Sequence, residues 1–271
     1  LNEMKNLWNK SDAAACNSVL DLRVYSSRLL GAAPSLVLHG GGNTSVKAEF
    51  TNVFCESVPA LYVKGSGWDL RTIKAAGFPP VDLDYLRRLG ALADLSDTDM
   101  MRQLRLALLD PAGPTPSVEA ILHALIPCKY VDHTHADAVV TLSNTPNGTE
   151  LLQDLFGDEV LILPYTMPGF VLARQVADAT LNVDWECLKG IVLLHHGIFT
   201  FHEEAEQSYS NMINLVSMAE KRLATRSASL RPISHRGVLG QEELALAKLR
   251  KAASLLFGAA VLVQWDKSDT A

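Results

Sequence analysis

Apolar residues recur every three to four positions from Ser11 to Leu30, and the run stops at Gly31 and Pro34. That is the spacing of one helix face, so the pattern predicts an amphipathic helix opening at Ser11-Asp12. Ser35-Leu-Val-Leu-His39 and Ala60-Leu-Tyr-Val-Lys64 are short apolar runs closed by glycines, which predicts two strands, each entering a turn. Helices are predicted over Asp82–Ala93 and from the cap Ser96 to Leu109, with Asp99 completing a capping box. Pro111, Pro114 and Pro116 form a stiff linker, and Pro116 is placed to open a helix Ser117–Ile126. Lys129-Tyr-Val-Asp-His133 predicts a buried strand and Ala136–Leu142 a short helix broken near Pro146. Val160–Leu163 and Ile191–Leu194 are apolar runs that suit interior strands, and Glu203–Leu223 and Gln241–Leu256 are long amphipathic helices. Strands and helices alternate loosely, which points to a sheet covered by helices on both faces. Residues 10–225 read as one domain and Arg226–Arg236 as a linker.

Composition narrows the function. Of 271 residues, 48% are hydrophobic and 20% charged, the balance of a globular chain rather than a disordered one. The net charge of −6 argues against a nucleic-acid or anionic-membrane binder, which needs a basic face. A small phosphorylated ligand stays open, because a few local donors suffice to hold it. Cysteines at 16, 55, 128 and 187 form no C-x-x-C pair, so neither a zinc ribbon nor a disulfide framework is expected. The opening LNEMKNLWNKSD lacks the apolar core of a signal peptide, and no apolar run approaches a membrane span of about 20 residues. A cytoplasmic protein is the expectation.

Three groups of residues carry candidate chemistry. His39-Gly-Gly-Gly-Asn43-Thr44-Ser45 and Lys64-Gly65-Ser66-Gly67 are glycine turns flanked by hydroxyls and lysines. Glycines let the backbone approach a ligand with its N–H groups pointing inward, so each turn is either a phosphate cradle or an ordinary tight turn. Neither has the spacing of a dinucleotide fingerprint or a P-loop. His133-Thr-His135 ends a predicted strand, where residues i and i+2 project from one face. His195-His196 ends another. Three imidazoles around one divalent ion with open positions make a catalytic metal site; the other reading is core or surface histidines. Finally, Glu119 and His123 lie four apart on a predicted helix and share its face. Glu119 is a cap residue, or a base if it points into the same pocket as the histidines.

The motifs GGGNTSVK, VKGSGWDL, PSVEAILHALIP, VDHTHADAV, LPYTMPGF and LLHHGIF occur in the order seen in the class II aldolase/adducin family. The chain resembles the aldolase module of bacterial rhamnulose-1-phosphate aldolase/alcohol dehydrogenase proteins over residues 10–225. The resemblance implies a three-layer α/β/α fold around a mixed, largely antiparallel sheet, over residues 1–225. Residues 226–271 would be a C-terminal helical extension leading toward a further module. It implies one Zn²⁺ per subunit on His133, His135 and His196, with Glu119 as catalytic acid/base. Gly42, Asn43, Ser66, Gly67 and Ser117 align with phosphate-binding positions, whereas Val118 stands where relatives often have a second serine. Tyr165 aligns with a tyrosine that relatives donate across a subunit boundary in a homotetramer. The implied reaction is cleavage of a ketose 1-phosphate to dihydroxyacetone phosphate and an aldehyde. Lys47 and Lys64 are then phosphate or surface charges, since no Schiff base is needed. A sugar-phosphate 4-epimerase, a dehydratase and a non-enzymatic adducin-like binding module are the alternatives on the same scaffold.

Overall fold

A computed structural model describes residues 4–225, 239–258 and 261. The chain divides into two compact units, Leu1–Arg226 and Ser227–Ala271. The predicted linker Arg226–Arg236 lies outside the described residues. In the second unit the described element is α10 (Leu239–Phe257).

The first unit opens with α1 (Lys10–Ala14) and α2 (Val19–Gly31) rather than one continuous helix. The break follows from side-chain competition with the backbone. The Asn9 side chain caps the N–H groups of Ser11 and Asp12, and Ser18 restarts the helix by accepting from the Asp21 N–H. The predicted strand at 35–39 is instead a turn, buried at Leu36 and Val37 and exposed at Leu38 and His39. Leu36 and Val37 sit in the core with the Leu36 N–H bonded to Ala33 O, so the apolar run fills space without pairing. The first glycine turn therefore precedes a strand, β1 (Asn43–Thr51), which pairs with β2 (Ser57–Val63).

There follow β3 (Pro80–Asp82), α3 (Leu83–Gly90), α4 (Asp97–Leu106), α5 (Ala120–Leu125), β4 (Tyr130–Thr134), α6 (Asp137–Ser143) and α7 (Gly148–Phe156). The unit ends with β5 (Val160–Leu163), α8 (Phe170–Ala179), β6 (Gly190–Leu193), β7 (Gly197–His202) and α9 (Ala205–Thr225). The strands form one seven-stranded sheet in the order β3-β2-β1-β4-β7-β6-β5. The β5–β6 pair is parallel and the others are antiparallel.

Alternation along the strands divides the core. Ile191, Leu193, Phe199 and Phe201 pack with α3, α4, α5 and α8 on one face. Val192, Ile198 and Val160 pack with α2, α6, α7 and α9 on the other. Each of these fully buried side chains contributes about 1.5–3 kcal/mol. The result is the expected three-layer α/β/α arrangement around a mixed, largely antiparallel sheet.

The second face also holds a buried polar cluster. Arg23 on α2 and Asp132 on β4, both fully buried, form an ion pair of 2.6 Å. Arg23 Nε donates to Ser27 Oγ (3.1 Å) and Nη1 to Ser45 O (3.3 Å), while Ser208 Oγ donates to Asp132 Oδ2 (2.6 Å). Ser27 and Thr44 share a hydroxyl–hydroxyl bond of 2.8 Å.

Candidate active site

The site lies where β1 begins and β4 ends, since Asn43 stands opposite His133 in the sheet register. His133 is the penultimate residue of β4 and His135 follows the strand. His196 comes from the three-residue turn between β6 and β7, one residue before Gly197. That glycine is required by contact: a Cβ there would lie 2.4 Å from Thr134 O and 3.1 Å from the His133 ring. His195 before it takes a left-handed φ of 60°, held by its N–H on Ser143 Oγ and its Nδ1 against Asn144 Oδ1.

The three imidazoles form a near-equilateral group, with ring centroids 4.9, 4.9 and 5.1 Å apart. One ring nitrogen from each lies within 4.8 Å of the others. His133 Nδ1 donates to Ile198 O (3.1 Å), which leaves its Nε2 lone pair facing His135 Nε2 at 3.1 Å. Burial lowers the pKa of all three, His196 to about 4, so they stand as neutral donors near pH 7. Neutral nitrogens converging on one point, beside a cavity, fit a single divalent ion with positions left for a ligand.

Glu119 completes the cluster. Its Oε2 lies 3.6 Å from His133 Nε2 and its Oε1 3.6 Å from His196 Nε2. Oε2 accepts from Asn43 Nδ2 at 2.6 Å, whereas Oε1 is buried with no hydrogen-bond partner. The predicted helix over 117–126 is shorter, starting at Ala120, and Glu119 makes no cap bond with its side chain. The helix N-terminus does not keep the carboxylate in its ordinary range. Burial raises its pKa to about 7, against the opposing pull of the Asn43 hydrogen bond and the Lys64 charge.

The two glycine turns converge. Gly65 bridges to Pro116, the Ser66 N–H donates to Thr115 O and the Ser117 N–H to Lys64 O. Lys64 Nζ reaches across to Gly40 O (2.6 Å) and Gly42 O (2.9 Å), so it ties one turn to the other. Gly42, with φ +61°, permits this approach, since a Cβ there would meet His133 O at 2.7 Å. Gly42, Asn43, Ser66, Gly67, Ser117, Glu119, His135 and His196 thus line one cavity of about 410 Å³. Val118 lines it as well.

Two expectations need correction or detail. Lys47 is neither a phosphate nor a surface charge: its Nζ turns inward to His123 O (3.0 Å) and Cys128 O (2.7 Å). Tyr165 is half exposed, outside its own core, with its ring 6.4 Å from that of His195. Sequence reasoning missed Met101, which reaches the cavity from α4 and carries no motif that would have announced it.

Residues 23–223 match the family described as Class II Aldolase and Adducin N-terminal domain. The chain belongs to this family. A Bacillus subtilis (strain 168) protein described as an uncharacterized oxidoreductase, YuxG, is 33% identical over 223 residues, 82% of this chain. The chain spans only 32% of that relative's length. Among solved structures, the N-terminal class II aldolase domain of a conserved Thermoplasma acidophilum protein is 37% identical, with a TM-score of 0.75. That match covers 81% of this chain and 99% of the other. A sugar-phosphate aldolase from Thermotoga maritima shares the fold, at 17% identity and TM-score 0.56 over 77% of this chain and 95% of its own. No described helix of this class II aldolase family member is long and apolar enough to cross a membrane.

Proposed function

We propose that the domain is a metal-dependent aldolase that cleaves a ketose 1-phosphate, of the rhamnulose type, to dihydroxyacetone phosphate and an aldehyde. One observation carries the reading: Glu119, whose buried Oε1 has no hydrogen-bond partner, lines the same cavity as His135, His196 and both glycine turns. The metal, with Zn²⁺ in one copy per subunit as our assignment, would be held by His133, His135 and His196 and would supply Lewis-acid stabilisation of negative charge on the substrate oxygens.

The chain's own groups do the rest. Backbone N–H groups of Gly42 and Gly67 in the two turns, with the Ser66 and Ser117 hydroxyls, bind the phosphate and fix the sugar at a set distance from Glu119. Cleavage breaks the C3–C4 bond. The C4 hydroxyl proton passes to solvent water as the aldehyde forms, the electron pair stays on C3 beside the ketone, and solvent reloads Glu119 with the proton it gives up. Glu119 Oε1 then delivers a proton to C3, giving dihydroxyacetone phosphate. Burial raises the Glu119 carboxyl above its ordinary range in the metal-free fold, which favours holding the proton it delivers. The half-exposed Tyr165 would serve a neighbouring subunit of a homotetramer at the aldehyde oxygen. In this reading residues 1–225 are the aldolase domain of a cytoplasmic enzyme, and 226–271 a helical extension toward a further module such as the longer relative has room for.

The test is incubation of the metal-loaded protein with a panel of ketose 1-phosphates, following release of dihydroxyacetone phosphate. Release from at least one of them is expected. Inversion at C4 with no free triose would make the protein an epimerase. No conversion of any sugar by protein carrying a full complement of metal would overturn the aldolase reading.

A further inference from the structure

His123 is fully buried in α5, yet both of its ring nitrogens are used. Nδ1 lies 2.8 Å from Ser45 Oγ, and Nε2 meets Asn43 Oδ1. Asn43 and Ser45 are two apart on β1, so they point to the same face and grip the ring from both ends. Phe199, stacked on His133 at 4.0 Å, makes a T-shaped contact with the His123 ring at 5.6 Å. The amide of Asn43 is in turn fully engaged: Nδ2 donates to Glu119 Oε2 at 2.6 Å and to Ser117 Oγ at 3.2 Å.

Donor and acceptor chemistry allows one arrangement of this chain when Glu119 is ionised. An amide oxygen only accepts, so the ring nitrogen facing it carries the hydrogen. Burial, with the positive charges of Lys47 and Arg23 nearby, keeps the ring neutral, so Nδ1 accepts from the Ser45 hydroxyl. A flipped Asn43 amide would set its carbonyl against the Glu119 carboxylate and its NH₂ against the ring N–H. Without His123, nothing holds Asn43 Oδ1, and the amide is free to turn away.

We propose that His123 is a positioning residue: through the Asn43 amide it pins Glu119 Oε2, so that Oε1, left without a hydrogen-bond partner, is the working oxygen. The carboxylate then takes up and returns a proton at Oε1 without rotating, because Oε2 remains an acceptor throughout. The role deepens the aldolase reading and rests on Glu119 being the base.

The test uses full-chain, metal-loaded protein and proton exchange at C3 of dihydroxyacetone phosphate. His123→Leu is expected to lower kcat by about 10–100-fold, the usual worth of an outer-shell partner, with KM and metal content near wild type. His123→Gln, which restores one donor, should recover most of the loss. Because His123 acts through Asn43, His123→Leu/Asn43→Ala should be no slower than Asn43→Ala alone. Additive losses, or wild-type exchange by a folded His123→Leu, would overturn the proposal. If His123→Leu does not fold, the ¹⁵N spectrum of histidine-labelled wild type decides: a neutral His123 protonated at Nδ1 is fatal, and Nε2 protonation supports the relay. That spectrum needs no activity, so a wild type that neither exchanges nor cleaves would fell the aldolase reading while the ring's hold on Asn43 is still measured.

Discussion

Strands β1 and β4 carry two buried polar clusters, one on each face, built from alternating residues of the same short segments. Thr44 and Asp132 turn toward α2 and α9; Asn43, Ser45 and His133 turn toward α5. On the face toward α2 and α9, Asp132 meets Arg23 through one oxygen and Ser208 through the other, and Arg23 adds Ser27 and a backbone carbonyl. On the face toward α5, Glu119 Oε1 and His196 Nδ1 are buried without hydrogen-bond partners. An unmade buried bond costs about 1–3 kcal/mol, so a fold keeps such groups only where something else offsets the loss. Depth of burial and polarity do not separate structural clusters from sites here. What differs is how close the charges lie: Arg23 Nη2 and Asp132 Oδ1 meet at 2.6 Å, whereas the Glu119 oxygens stand 3.6 Å from His133 Nε2 and His196 Nε2.

The comparison can be broken by substitution. His133→Ala removes a ligand and should abolish metal binding and turnover together, read by metal analysis and aldol cleavage on the same sample. Glu119→Gln should keep the metal yet lose about two to four orders of magnitude in turnover, equivalent to about 2.7–5.5 kcal/mol at the barrier. It should not melt earlier than wild type, since it removes a buried carboxylate one of whose oxygens lacks a hydrogen-bond partner, while the amide oxygen can still accept from Asn43.

On the opposite face the pattern should invert. Asp132→Ala leaves Arg23 charged and buried, with an expected loss of about 3–5 kcal/mol in urea titration. The turnover of whatever remains folded and metal-loaded should hold. Replacing both partners, as Arg23→Met with Asp132→Leu, should recover most of that stability. If the single change costs nothing, the pair is not what holds α2 to the sheet.

The smallest effect is on pH dependence in metal-free protein. Glu119 moves from an ordinary 4.5 to about 7 in the fold, so across that window the native state keeps a proton the unfolded chain has lost. Its contribution to stability therefore falls as pH rises from 4.5 to 7. The stability of Glu119→Gln relative to wild type should grow over the same window by up to about 3 kcal/mol. Paired urea titrations at pH 5 and pH 8 measure it, and the buried histidines, common to both proteins, cancel. A constant difference would show that the carboxylate is solvated.

Much of this was legible beforehand because local chemistry wrote it. Ser96 caps α4 by accepting from the Asp99 N–H, and β5 matches its predicted span because four apolar residues between breakers leave little choice. The histidine cluster could be suspected from two strand-end motifs. What failed depended on partners distant in the chain. Leu36 and Val37 look like a strand because an apolar run does not declare whether it pairs or plugs. β7 was missed because only three residues separate it from β6, and Gly197-Ile-Phe read as the end of a motif. α8 was missed although Phe170, Leu172, Ala173 and Val176 are buried at helical spacing, because the preceding Pro168-Gly169 looked like a loop. For His123 the four-residue spacing from Glu119 was visible, but not Ser45 and Asn43 waiting on the other side of the ring.

The strand order has a consequence in time. β4 lies between β1 and β7, so its Asn43↔His133 and His133↔Phe199 pairings must both close before the imidazoles face one another. As the chain leaves the ribosome, His133 and His135 emerge together, but the third ligand follows about sixty residues later. It is set in place only when β7 docks. At a synthesis rate of about 5–20 residues per second, that interval lasts seconds. During those seconds the nascent chain presents two of the three imidazoles, and the full cluster exists only once the β4–β7 pairing has formed.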